Sequence, residues 1–419
     1  MDFGENSRLK AVPLIIPHIV SQHAEEASFL WTLRSTAVCQ HRYDLNDLAG
    51  LDERIEAHLD GLRIAGSDGV KFYQEPADGG EFFTAALMAI EMDKGDFLEM
   101  LLAAACADPA LSRAVVSALG WLPRGKVEPY VRPLLNSDST SLRRIGISAC
   151  AVQRVDPGAL LAAALESSDL QLRERALRAV GELGRKDLLP VVLTSLVNDD
   201  DAIRFAACWT ATLLGHRQAA DGLCRFIGSM WQEKALNLAL RVMDREVASQ
   251  LVSKLAGHEE TQRLAIRAAG IVGDTGAIPF LFEMMQLPEQ ARPAGEAFFL
   301  ITGCDIEKED LWGTRPENFT AGPSDEADEE DVAMDPDEEL PWPDPELVAA
   351  WWDKHKVEFR RGERLLLGKP LNQDHLQHVL RSGFQMQRLA AALELVLLGR
   401  GRSLFEVRAP GLRQKQLLA

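Results

Sequence analysis

Aromatic residues are scarce in this chain of 419 amino acids, where they make up 6% and include only three tyrosines. Sandwiches and barrels of β-strands depend on Tyr, Thr, Val and Ile, so the composition argues against an all-β fold and favours helices. No apolar run approaches the roughly 18 residues that a transmembrane helix needs. With 47% apolar and 26% charged residues, the chain has the composition of a folded protein.

Closely spaced cysteine pairs are also missing. The six cysteines stand at positions 39, 106, 150, 208, 224 and 304, and no two are closer than 16 residues. This spacing excludes the Cys-x-x-Cys sites used for zinc, redox chemistry or haem attachment. It predicts free, mostly buried thiols in a reducing compartment, and the first residues lack a signal-peptide pattern. We therefore expect a cytoplasmic protein.

Motifs for catalysis and cofactor binding are absent too. The sequence contains no P-loop, no dinucleotide-binding glycine pattern, no nucleophile elbow and no His-Glu-x-x-His zinc motif. Carboxylates are so abundant that no pair of them indicates acid–base chemistry. We predict no cofactor, no metal ion and no catalytic residue, and we interpret the chain as a non-enzyme.

Negative charge predominates over positive charge. The chain has 63 Asp and Glu against 45 Lys and Arg, which gives a net charge of −18. Such a surface repels phosphate backbones and anionic lipids, so nucleic acids and membranes are poor partners. The charge instead suits another protein with a basic surface.

Internal repetition is the strongest pattern in the chain. A cation recurs every 29 to 31 residues, and an acid precedes nearly every one of these cations by three to five positions. The cations are Arg113, Arg143, Arg173, Arg204, Lys234, Arg263 and Arg292; the acids are Asp108, Asp138, Asp169, Asp200, Glu259 and Glu289. Apolar runs flank each pair, and a glycine closes most units. Each unit is therefore predicted to be two short helices joined by an acidic turn.

The recurrent pair has a clear chemical use. An acid at the turn caps the second helix by accepting hydrogen bonds from free backbone N–H groups, and the cation reaches this acid or the acid of the next unit. One unit of about 30 residues cannot bury both helices, whereas stacked units share a continuous core. The row is interpreted as a stacking device, with a functional row as the alternative. Residues 218–245 depart from the pattern, because Ser229, Met230 and Trp231 replace the acid, and a contact site there is one explanation.

The repeat resembles the short HEAT-like repeats named after phycobilisome lyases. Residues 168–184 (SDLQLRERALRAVGELG) carry the resemblance, which covers roughly residues 96–303. It implies an all-α fold, an α-solenoid of about seven stacked two-helix repeats with a helical N-terminal cap and a small C-terminal helical domain. Repeats of this kind occur in scaffolds, adaptors and a few enzymes, so they specify architecture and not activity.

The flanking regions complete the predicted domain organisation. Residues 1–95 form the N-terminal cap, residues 96–303 the solenoid, residues 304–345 an acidic, proline-containing linker or loop, and residues 346–419 a mostly helical C-terminal domain. An apolar stripe in the cap predicts a helix that ends near Gly66; its members are Leu45, Leu48, Leu51, Ile55, Leu59 and Leu62. Helices are predicted near 372–382 and 384–398, followed by a basic tail from Ser403.

The acidic segment is the main candidate for partner binding. No Lys or Arg occurs between Pro316 and Asp353, and the 14 acids of this stretch account for most of the net charge. The segment is either a solvated linker or an electrostatic arm for a basic partner. Its candidate binding residues are Asp325, Glu326, Asp328, Glu329, Glu330 and Asp331. Trp342, Trp351, Trp352 and Trp231 are further candidates, with packing onto the repeats as the alternative.

A second resemblance extends over the whole chain. Residues 22–27 (QHAEEA), 51–63 (LDERIEAHLDGLR), 388–394 (RLAAALE) and 404–411 (LFEVRAPG) resemble an uncharacterised proteobacterial family of HEAT-repeat proteins. Members of that family often occur among genes of type VI secretion. The resemblance implies a scaffold, adaptor or chaperone for secreted cargo, toxin or spike components. The alternatives are an immunity protein that neutralises a basic toxin and a HEAT-like lyase enzyme.

Overall fold

The computed structural model describes residues 15–71, 73, 75–317, 319, 321–322, 334–360, 362–399 and 401–419, without the side chains of residues 68 and 70. Helices dominate these residues, and the one sheet among them is a two-stranded antiparallel pair, β1 (Leu365–Leu366) and β2 (Lys369–Pro370). The predicted all-α fold class is therefore confirmed. The chain divides into two compact units, each described separately below.

Unit 1 consists of Met1–Ala37, Asn46–Gln153 and Ala409–Leu412. Its apolar core includes Leu59, Phe83 and Leu101, each completely buried. The predicted apolar stripe lies on α2, which ends one residue before Gly66. The helices of this part of the chain are α1 (Pro17–Ala37), α2 (Leu45–Ala65), α3 (Ser67–Lys71), α4 (Gly79–Glu91), α5 (Gly95–Ala107), α6 (Pro109–Trp121), α7 (Arg124–Leu135) and α8 (Thr140–Val152).

Unit 2 consists of Val38–Leu45, Arg154–Arg408 and Arg413–Ala419. Short 3-10 turns precede or extend several of its helices: Lys186–Leu188, Ser195–Val197, Cys224–Phe226, Glu259–Thr261, Thr275–Ala277 and Lys356–Glu358. The helices are α9 (Ala159–Leu165), α10 (Leu170–Leu183), α11 (Leu189–Thr194), α12 (Asp201–Leu213), α13 (Ala219–Leu223), α14 (Gln232–Val242), α15 (Arg245–Ala256), α16 (Gln262–Val272), α17 (Ile278–Met285), α18 (Pro288–Thr302), α19 (Pro345–His355), α20 (Gln373–Ser382), α21 (Gln385–Gly399) and α22 (Gly411–Leu418). The unit boundary after Gln153 falls inside the range 96–303, and the domain borders drawn from the sequence stay predictions.

Helix α10 shows how the repeat sequence determines local structure. The Asp169 carboxylate accepts a hydrogen bond from the Leu172 N–H at 2.9 Å, which caps the first turn. The helix ends at Gly184, whose φ of 69° is a left-handed conformation that glycine adopts without strain. Small residues allow close packing in between: a Cβ at Gly181 would lie 3.0 Å from the Thr210 hydroxyl on α12. Helices α10 and α12 therefore approach each other closely.

C-terminal backbone satisfies the free carbonyls where several repeat helices of unit 2 end. The Leu404 N–H donates to the Glu182 carbonyl at the end of α10, and the Leu365 N–H donates to the Gly273 carbonyl after α16. The Leu367 N–H donates to the Leu300 carbonyl near the end of α18 at 2.7 Å. The last carbonyls of a helix have no partner within the helix, so these bonds replace bonds to water.

Residues 403–408 and 413–419 of the predicted basic tail belong to unit 2 and pack within it. Leu404 and Val407 are buried in the core that also contains α20 and α21. The fully buried Arg388 on α21 donates to the Gln414 side chain on α22 and, at 2.9 Å, to the Leu380 carbonyl. Because a buried guanidinium is costly unless its N–H groups are satisfied, these acceptors hold the C-terminus in place.

A buried ionic cluster joins the repeats of unit 2 to its C-terminal helices. One oxygen of Glu394 on α21 accepts from Arg241 on α14 and from Arg364, each at 2.8 Å. The side chains of Arg241 and Glu394 are each 5% exposed. Arg364 also donates to the carbonyls of Arg241 and Val272, at the ends of α14 and α16. Glu394 is the only acid among the described residues that pairs with either arginine, so its removal leaves both guanidinium groups without that counter-charge.

We predict that Glu394→Ala lowers the free energy of unfolding by about 3–5 kcal/mol, because it leaves buried cations unpaired. The matched control is Glu233→Ala, which removes an acid that also pairs with an arginine, Arg267, but is 53% exposed. This control should cost well under ~1 kcal/mol. Urea unfolding midpoints of the three proteins measure the difference. Equal losses in the two variants would contradict the prediction.

Candidate functional site

Two cations of the repeat row bind the chain's own acidic segment. Arg263 on α16 donates to the Asp337 carboxylate. Arg292 on α18 donates to the Asp335 carboxylate at 2.8 Å and to the Asp337 carbonyl at 2.9 Å. Asp337 is 6% exposed and Arg292 is 5% exposed. At these two repeats the partner of the cation is therefore an acid more than 40 residues further along the chain.

Trp342 completes this contact from the other side of Arg292. The Arg292 guanidinium carbon lies 4.6 Å from the centroid of the Trp342 ring, which is a cation–π geometry. Phe319 packs edge-on against Trp342, with ring centroids 4.9 Å apart. Trp342, a candidate for binding a partner, is thus engaged within unit 2.

The electrostatics favour the ionised form of Asp335. Burial opposes ionisation, but the Asp337 backbone N–H and the Arg292 guanidinium outweigh it, so the pKa of Asp335 lies below its ordinary value. The Asp335 charge is therefore part of what holds the segment against α18.

Further contacts bind the described residues of the acidic segment to the rest of unit 2. Glu339 accepts from the His41 backbone N–H at 3.1 Å, and Leu340 is buried. The Gly313 N–H donates to the Trp342 carbonyl at 2.8 Å. The two ends that flank residues 323–333 are close together: a Cβ at Gly322 would lie 3.4 Å from the Asp335 nitrogen.

Six of the predicted binding residues lie outside the described residues: Asp325, Glu326, Asp328, Glu329, Glu330 and Asp331. The structure adds Asp335, Asp337 and Leu340, which were not singled out from the sequence. An apolar Leu-Pro-Trp run directly after the three acids of residues 337–339 is the signal that could have identified them, since solvated linkers seldom carry such a run.

Trp351 and Trp352 belong to α19 and pack onto α18. Their rings lie 5.9 and 6.3 Å from the Phe298 ring, which is fully buried. Trp351 also stacks on His355 at 4.3 Å. Both indoles are partly buried against the core of unit 2, as the packing alternative expects.

The acids of the repeat row take different local roles. Asp108, Asp169 and Asp200 each cap the following helix by accepting from backbone N–H groups. At α8 the capping side chain is Ser139, and the neighbouring Asp138 is exposed. Glu259 lies in a 3-10 turn and caps no helix. The acid positions of the row are therefore not equivalent.

The cations of the row differ as well. Arg173 donates to the Ser195 hydroxyl at 2.9 Å, and Arg204 donates to Asp201 and to the Asn198 carbonyl. Arg113, Arg143 and Lys234 have no ion pair within the part of the chain that the structure describes. Only Arg263 and Arg292 of the row bind the acidic segment among the described residues.

Trp231 stands at the start of α14, where the repeat lacks its acid. Its ring stacks on Phe205 at 5.4 Å and meets Phe226 edge-on at 5.6 Å. It is only partly buried and lines an open depression of about 380 Å³. This depression is the second place where candidate residues come together.

Within the described residues, no group of three or more His, Cys, Asp or Glu side chains is arranged to hold a metal ion. All six cysteines are free thiols, and Cys39 is exposed. None of the helices in the described ranges is both long and apolar enough to cross a bilayer.

Comparison with known proteins gives one match. Residues 157–243 match the family model described as HEAT repeats, and this range runs from α9 to the end of α14. No curated protein and no solved structure matches the chain. Residues 157–243 are thus similar to HEAT repeats, and the helical architecture of the described residues is consistent with a HEAT-like repeat fold; neither finding supports an association with type VI secretion.

We predict that Asp335→Asn lowers the free energy of unfolding at pH 7 by about 1–2 kcal/mol, because a charged hydrogen bond to Arg292 is lost. A carboxyl group with a lowered pKa stabilises the fold above its unfolded pKa of about 3.9, and this contribution disappears as the pH falls through the folded pKa.

The difference between wild type and Asp335→Asn should therefore shrink as the pH falls below about 4. Urea unfolding at several pH values measures it. Asp353→Asn is the matched control, since that carboxylate is 71% exposed and, among the described residues, pairs only with Lys356 one helical turn away. A difference that is independent of pH would refute the role of the Asp335 charge.

Proposed function

We propose that this HEAT-like repeat protein is a non-enzymatic scaffold that binds another protein with a basic surface. HEAT repeats are generally a scaffold fold, in which binding needs a broad surface and no chemistry. The main support for the proposal is that Arg263 and Arg292 bind the acidic segment through ion pairs with Asp337 and Asp335. Residues 323–333 contain six acids and no cation, and they are tethered at Gly322 and Asp335, which are close together.

The anchoring supports binding for an energetic reason. A fully free acidic arm loses conformational entropy when it binds, which weakens the complex. Here Gly322 and Asp335, which flank residues 323–333, are already close together. Less conformational entropy is therefore lost when a partner binds. The concentrated negative charge then accelerates encounter with a basic partner and favours it over acidic ones.

We further propose that the scaffold acts in the cytoplasm as an adaptor or chaperone for a cargo, toxin or spike component of type VI secretion. This finer assignment rests only on the sequence resemblance of residues 22–27, 51–63, 388–394 and 404–411. Transient binding is expected of an adaptor. An immunity protein would instead hold a basic toxin for hours, so the dissociation rate distinguishes the two roles.

The test replaces the six acids of residues 325–331 by Asn and Gln and measures capture of protein partners from the native host. We expect affinity for the captured partner to fall at least about tenfold at low salt, with a smaller loss at high salt because ions screen surface charge.

A control with the same change in net charge neutralises six exposed acids elsewhere: Glu53, Glu75, Asp96, Glu99, Asp138 and Glu166. It should leave the affinity within about twofold of wild type, since these charges are dispersed. Equal losses in the two variants would mean that only net charge matters. Unchanged capture by the first variant would show that residues 325–331 are a linker.

A further inference from the structure

The interrupted repeat of unit 2 creates an open surface depression. Where the helices α6, α10 and α12 have a capping aspartate, residues 229–231 read Ser-Met-Trp, and Trp231 occupies the position before α14 without a side-chain cap. The depression of about 380 Å³ lies between this turn and the 3-10 turn Ser195–Val197. The Trp231 indole, which lines the depression, stacks on Phe205.

The depression is apolar on one side. Phe226 and Trp231 line it, together with Val197, which is 86% exposed. Met230, on the same turn, is also 86% exposed. Large apolar side chains that are this exposed and this close in the fold indicate an interaction surface, since single scattered ones need no such explanation.

The other side of the depression is charged and has two arginines and one acid, Asp201, in its lining. Arg225 and Arg204 both line it. Arg204 is bound to Asp201 and the Asn198 carbonyl, whereas Arg225 is exposed and forms no ion pair with any residue that the structure describes. The Trp231 indole N–H has no acceptor among the same residues, so it too is available to a ligand.

The same unit shows which ligand suits this combination. Arg204 occupies the repeat position of Arg263 and Arg292, and those two cations bind carboxylates of a segment that is folded into turns and also carries Leu340 and Trp342. At that site guanidinium groups meet carboxylates while the apolar side chains pack beside them. Arg225, Phe226 and Trp231 offer the same chemistry beside the Arg204–Asp201 pair, and Arg225 forms no ion pair with the described residues.

We propose that this depression binds a short segment of a partner protein that carries carboxylates beside a large apolar side chain. The carboxylates pair with Arg225 and Arg204, and the apolar side chain packs on Val197, Phe226 and Trp231. This surface is separate from the acidic segment and has the opposite charge preference, so the scaffold contacts a partner at two chemically different places.

The probe is a labelled peptide with the sequence of residues 334–342 (MDPDEELPW), which has the required chemistry. Fluorescence anisotropy measures its binding to the full chain. We expect saturable binding that weakens at least about tenfold in Arg225→Glu and in Val197→Asp, because charge repulsion and burial of a charge each cost this much or more. Both residues are exposed, so both variants should fold.

Two controls make the result specific. Arg360→Glu makes the same charge change at another exposed arginine of unit 2 and should retain binding within about twofold. A peptide with Asn and Gln in place of its acids should bind at least about tenfold more weakly.

No saturable binding of the peptide to wild type would overturn the proposal. Binding that is unaffected by Arg225→Glu and Val197→Asp would also overturn it. The peptide would then be bound at Arg263 and Arg292, where it displaces the identical segment of the chain itself. The variant with neutralised residues 325–331 should still bind the peptide, so this test and that of the proposed function fail independently.

Discussion

The carbonyl groups at the ends of the repeat helices impose the constraint on which unit 2 depends. The last backbone carbonyls of each helix have no hydrogen-bond donor within the helix. Where these carbonyls are buried away from water, other parts of the protein must supply the donors. Backbone N–H groups of Leu365, Leu367 and Leu404 supply them, and the Arg364 side chain serves the ends of α14 and α16. Glu394 then neutralises Arg364 and Arg241 together. Repeats and C-terminal helices are therefore parts of one hydrogen-bonded core.

Local features of the fold were predictable because their causes are local. The apolar stripe of α2 and its end near Gly66, the capping aspartates at 108, 169 and 200, and the helices near 372–382 and 384–398 all follow from residues within a few positions of one another. Even here the choice between two capable neighbours was not predictable. Ser139 caps α8 although Asp138 is next to it, because the geometry of the turn decides which side chain reaches the N–H group.

Long-range contacts were not predictable from one sequence. The pairing of Arg292 with Asp335 joins residues with a long, charged segment between them, and composition alone favours a solvated linker there. The sequence likewise predicts a basic tail at the C-terminus. Only the structure shows that Gln414, in this region, accepts a hydrogen bond from the buried Arg388, which also donates to the Leu380 carbonyl. A periodic row of cations shows where charge lies along a stack, but the partner of each cation depends on which distant segment folds back onto it.

The capping of repeat ends by C-terminal backbone also bears on how this protein can change in evolution. Open-ended repeat arrays readily gain or lose a module, since each module contacts only its neighbours. Here the Leu404 N–H donates to a carbonyl at the end of α10, while the N–H groups of Leu365 and Leu367 donate to carbonyls at the ends of α16 and α18. A duplicated or deleted module between these turns would shift their spacing and leave donors and acceptors mismatched. The C-terminal backbone at Leu365, Leu367 and Leu404 thus fixes the number of repeats in unit 2. Sequence changes are then confined to side chains on an array of constant length.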